Sequence, residues 1–109
     1  MAISVIIKNP QNDFESKFYI QVAYLSFFER CWLPGIKALD LRRIGLFELG
    51  VEVTEGNLPI ILDELNHLKK WAAINLNDAD KEYFFENVDP LAEELPTAFQ
   101  RKGAVVYIG

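Results

Sequence analysis

The chain has 109 residues, 50% of them hydrophobic and 25% charged, and its 16 Asp and Glu against 11 Lys and Arg leave a net charge of -5. That size and mixture fit one soluble globular domain over 1–109, and a pI near 4.8 excludes a general nucleic-acid binder, which needs a basic surface. No apolar run approaches the ~20 residues of a membrane span, and the single cysteine, Cys31, allows neither an internal disulfide nor a metal set.

The opening MAISVIIKNP lacks a basic stretch followed by a long apolar one, so no signal peptide is expected and a cytoplasmic location is the default. β-branched Ile3–Lys8 predicts a strand. Asn9 to Asp13 is turn chemistry. Lys17–Ala23 alternates Phe18, Ile20 and Val22 with Tyr19, Gln21 and Ala23, which predicts a second strand in a hairpin with the first. From Tyr24 the period changes: Leu25, Phe28, Trp32, Ile36 and Leu39 stand three or four apart, as in a helix, with a distortion expected around Pro34-Gly35.

Leu41–Val53 reads as an extended strand, or two broken by a bulge at Gly50, with Ile44, Leu46 and Glu48 on one face. Asn57 then caps a helix that carries Pro59 in its first turn and runs to about Ala73. Its apolar face (Ile61, Leu62, Leu65, Leu68) is expected to lie on the preceding strand. A last helix starts near Asn77 or Asp78. Phe84, Val88, Leu91, Leu95 and Phe99 keep its period through Pro90 and Pro96, which predicts one helix bent at Pro90 and ended by Gly103. The closing AVVYIG is continuously apolar, as expected of a strand inside a sheet. The order β-β-α-β-α-α-β predicts an α+β fold: about four mainly antiparallel strands with three helices packed largely on one face.

Charge placement is the sharpest feature. Between Asp78 and Glu94 stand seven acids (Asp78, Asp80, Glu82, Glu86, Asp89, Glu93, Glu94) and one base, Lys81. Glu82, Glu86, Asp89 and Glu93 recur at four, three and four, forming a stripe opposite Phe84, Val88 and Leu91; like charges so spaced repel. A solvated helix face explains the stripe, and so does a surface that steers in a basic protein partner through Asp78, Asp80, Glu82, Glu86, Asp89 and Glu93.

Acid–base, metal and phosphate chemistry find little support. Adjacent carboxylates such as Asp63-Glu64 and Glu93-Glu94 diverge around a helix, and His67, the one histidine, is placed to pair with Asp63 four residues back. Cys31 sits among Phe27, Phe28 and Trp32 as a buried thiol, and Arg42-Arg43 would point to opposite faces of a strand. The glycines form no phosphate-binding loop. No enzyme, cofactor or metal is therefore expected.

Three stretches, GVEVTEGNLPIILDELNHLKKW (Gly50–Trp71), FFERCWLPGIKAL (Phe27–Leu39) and AVVYIG (Ala104–Gly109), with the acidic helical segment between them, resemble small bacterial immunity proteins encoded beside contact-dependent or polymorphic toxins. The resemblance implies a cytoplasmic inhibitor that binds one cognate toxin domain, often a basic nuclease, and blocks its active surface. It carries over no set of binding residues, so the acidic stripe rests on charge alone. The expectation is an acidic, non-enzymatic inhibitor of a basic protein, without direct nucleic-acid or membrane contact, as monomer or homodimer. The alternative is a small α+β domain holding an apolar molecule between sheet and helices, lined by Tyr19, Tyr24, Trp32 and Phe47.

Overall fold

The computed structural model describes residues 1–109. Four antiparallel strands, β1 (Ala2–Ile7), β2 (Ile20–Tyr24), β3 (Val51–Val53) and β4 (Val106–Ile108), form one sheet in the order β2-β1-β4-β3, so the closing strand lies inside it as its apolar run implied. Ile3, Val5, Ile7, Ile20, Val22, Val53, Val106 and Ile108 line the covered face, while Ile6, Tyr107 and Glu52 pair across the open one. The fold is α+β. No helix is long and apolar enough to cross a membrane.

β1 and β2 make the expected antiparallel pair, with a bulge opposite Ile3 and Ser4 that lets both Val22 and Ala23 turn inward. The second strand starts later than alternation suggested. Asp13–Lys17 is a short helix, α1, because the Asn12 side chain accepts the Glu15 N–H at 2.9 Å and caps it. Five residues cannot sustain a helix alone. Buried Glu15 supplies the anchor: it accepts Arg101 Nε at 3.0 Å and Nη2 at 3.1 Å, with the Gln11 N–H at 3.0 Å. These bonds to Arg101 and Gln11 hold its carboxyl below the usual range.

The expected distortion of the next helix lies just before Pro34. α2 (Leu25–Phe27) runs into a π-helical turn, Phe28–Trp32, and then α3 (Leu33–Leu39). The Leu33 N–H bonds the Phe28 carbonyl five residues back, a widened turn beside a proline that can donate nothing.

Leu41–Val53 is not the extended strand that alternation implied. Ile44–Glu48 is a 3-10 turn, and only Val51–Val53 joins the sheet. Leu41, Ile44 and Phe47, three apart, are the buried positions, and Glu64 from the following helix accepts the N–H groups of Arg43 and Ile44 at 3.0 and 2.9 Å. Gly50 has φ +94 after this turn, with the Tyr107 hydroxyl lying over it; it is no bulge.

Helix α4 (Leu58–Asn75) buries Ile61, Leu65, Leu68 and Ala72 mainly against α3, the 3-10 turn and the following helix rather than on β3. Asn57 precedes it as expected, but its side chain turns back to accept from the Thr54 N–H and hydroxyl. Helix α5 (Asp78–Glu94) is capped by Asn77, whose side chain accepts the Asp80 N–H at 2.8 Å. It continues through Pro90 and ends at Glu94, not at Gly103. Pro96 opens a 3-10 turn, Leu95–Ala98, and the Thr97 hydroxyl donates to the Glu94 carbonyl. One missing N–H is tolerated at Pro90; a second six residues on stops the helix. α5 lies against β2 and α4.

Candidate functional site

The 3.6-residue period of α5 turns Phe84, Val88 and Leu91 into the core and leaves Glu82, Glu86 and Glu93 exposed on the opposite side. None of these three has a cationic partner in the chain. Glu94 is likewise exposed and unpaired. Their spacing puts Glu82 and Glu86 one turn apart and Glu93 two turns further along the same side of the helix, facing water.

The other expected members behave differently. Asp80 does not belong to the stripe. It turns toward the preceding helical segment, where Arg30 grips it with Nη1 at 2.6 Å and Nη2 at 3.2 Å, Asn77 adds a third bond, and its side chain is 18% exposed. The Arg30 bonds hold its carboxyl below the ordinary aspartate range, with burial opposing. Asp89 stands at the stripe's edge, with its carboxylate 2.8 Å from Lys69 on α4. Asp78 sits at the helix start, exposed, 4.0 Å from Lys81. On α5 the acids without a cation of the chain are therefore Glu82, Glu86 and Glu93, with Glu94 beside them.

The remaining reactive side chains do not converge. Cys31 is buried; burial, with the Asp80 charge as a lesser cause, pushes its thiol up, away from a nucleophilic thiolate. His67 is exposed on α4 with Nδ1 3.5 Å from the Asp63 carboxylate. Glu64 is engaged as a backbone acceptor and cannot work with Asp63. With no strand at Arg42-Arg43 the two-face expectation there fails, and Arg42 pairs with Asp40 at 3.3 Å. Trp32 and Phe47 are fully buried with ring centroids 6.4 Å apart, whereas Tyr19 and Tyr24 stand at the surface.

Where α5 ends, the surface opens into a groove of about 470 Å³ lined by Phe14, Lys17, Phe18, Tyr19, Glu94 and Thr97. Phe14 and Phe18, four apart across α1, were not singled out from the sequence; their spacing was the available signal, hidden by reading that stretch as turn and strand.

Comparison with known protein families, with curated proteins and with solved structures finds no match to this chain.

Proposed function

We propose that this chain is a non-enzymatic inhibitor that binds a basic protein, in the immunity-protein manner a cognate toxin domain, and covers its active surface. The observation that carries the reading is the contrast along α5. Asp80 and Asp89 are taken up by Arg30 and Lys69, yet Glu82, Glu86 and Glu93 are left with no internal cation. Aligned, unscreened carboxylates raise the encounter rate with a basic partner and suppress acidic ones. They cost the isolated helix a few tenths of a kcal/mol per like-charge pair.

The test uses the full chain as bait in its host at low salt, followed by co-expression of the captured basic protein with and without this chain. The proposal expects the captured protein to arrest growth and this chain to restore it. The Glu82→Lys/Glu86→Lys double variant should keep an unchanged circular dichroism spectrum and melting temperature to within a few degrees, and lose protection. Full protection by the reversed variant would remove the stripe from the interface; a captured protein without toxicity would end the inhibitor reading.

A further inference from the structure

We infer that the groove at the end of α5 is the anchor pocket of this interface, and that it takes an arginine side chain of the basic partner. The inference rests on the reading of a basic partner given above.

The groove has the chemistry of a cation receptor. Phe14 and Phe18 meet edge to face with centroids 5.7 Å apart, and Tyr19 follows directly in the chain. Phe14 is 39% exposed and Tyr19 59% exposed, large fractions for aromatic side chains with a core close at hand. Aromatic faces attract guanidinium groups, and arginine is the cation that both stacks on a ring and bonds a carboxylate in bidentate fashion. Glu94 supplies that carboxylate. It lines the groove, is exposed, and has no partner in the chain.

Continuity and rigidity support the same occupant. Glu93 ends the acidic stripe and Glu94, next in the chain and about 100° further around the helix, borders the groove, so a partner that wraps the end of α5 can meet both. The aromatic wall is preformed: α1 carries Phe14, and buried Glu15, held by the half-buried Arg101, fixes that short helix. A fixed pocket beside a charged rim is the arrangement in which a buried anchor carries most of the binding energy.

Lys17 also lines the groove and is exposed, and it gives the inference a sign. An arginine in the groove is repelled by Lys17, so Lys17→Gln should tighten binding. A carboxylate-bearing or zwitterionic occupant would use Lys17, and the same substitution would weaken it.

The probe is N-acetyl-arginine methylamide, which has no terminal charges, titrated into the full chain and followed by two-dimensional NMR of the aromatic rings and the Thr97 methyl. Saturable shifts at Phe14, Phe18, Tyr19 and Thr97 are expected. Tyr19→Ala should weaken binding by about two- to fivefold, the worth of an exposed cation–π contact, Glu94→Gln should weaken it by about as much, and Lys17→Gln should strengthen it. Both Tyr19 and Glu94 are exposed, so these variants keep the fold. Unmoved ring resonances, equal binding of N-acetyl-norleucine methylamide, or weaker binding by Lys17→Gln would each overturn the inference. If any of these occurs while growth protection still depends on Glu82 and Glu86, the groove is lost as a site and the stripe stands.

Discussion

At Gly35, α3 and α4 approach so closely that only a hydrogen fits between them. A Cβ there would stand 2.6 Å from Leu68 Cδ1 and 2.6 Å from Trp71 Cε3. Leu68 is fully buried and the Trp71 ring is large, so neither yields freely. Gly35→Ala should therefore cost about 1–2 kcal/mol, the overpacking penalty exceeding the gain in helix propensity. The check is urea unfolding, with a lower midpoint and an unchanged slope. The carboxyls of Glu15 and Asp80 give a second prediction. Both are held below their ordinary range, Glu15 by its bonds to Arg101 and Gln11, Asp80 by Arg30. Because each folded-state value lies below the unfolded one, the stability each contributes is complete above the unfolded value and disappears as pH falls through the folded one. Melting temperature should hold near neutrality and fall on acidification below the ordinary carboxylate range. Glu15→Gln should lower it at neutral pH and flatten part of that acid limb, and a limb identical to that of the unsubstituted chain would disprove the linkage.

Among the elements, the 3-10 turn Ile44–Glu48 depends on one side chain from elsewhere. Glu64 accepts the Arg43 and Ile44 N–H groups, the work of an N-cap, from α4. Glu64→Ala should cost about 1–2 kcal/mol, as other lost caps do, and should show first as faster amide exchange at Arg43 and Ile44. Unaltered exchange there would mean the turn is held by Ile44 and Phe47 alone. This turn also explains what could be read from residues in order. Leu41–Val53 imitates a strand because apolar residues fill both alternating faces, and its true period of three, in Leu41, Ile44 and Phe47, is chosen by a carboxylate twenty residues further on. The central strand β4, the β1–β2 pair and both long helices follow local patterns and were legible. The end of α5 was misjudged because apolar periodicity runs on to Phe99 although the backbone stops helical bonding near Pro96. The candidate site divides the same way. A 3.6 period suffices to align Glu82, Glu86 and Glu93, but Asp80 joins Arg30 across fifty residues of sequence, and Asp89 joins Lys69 on a neighbouring helix.

For the molecule as a whole, the net charge is -5, and if the proposed basic partner binds at the stripe, folding and binding should respond to salt with opposite signs. In the free protein, Glu86 has Glu82 one turn before it and Asp89 one turn after it, and no cation of the chain answers it. Screening this repulsion favours the fold, so the gap in melting temperature between the unsubstituted chain and Glu86→Gln should narrow as salt goes from low to physiological concentration. Asp89 is answered by Lys69, so Glu86→Gln chiefly removes the repulsion with Glu82 and should stabilise by about 0.2–0.5 kcal/mol at low salt, with the gain shrinking as the Debye length falls to about 8 Å. With a basic partner as proposed, the complex should behave in reverse. Salt weakens the attraction between the stripe and a basic surface, and Glu86→Gln slows association while dissociation changes less. A residue whose neutralisation improves the fold and impairs the encounter has the stability–function trade expected of a binding surface rather than a merely solvated one. Thermal melts of Glu86→Gln across a salt series, set beside its association rate with the captured partner, decide the matter: a substitution that stabilises the fold and leaves association unchanged would make the stripe an incidental feature of the surface.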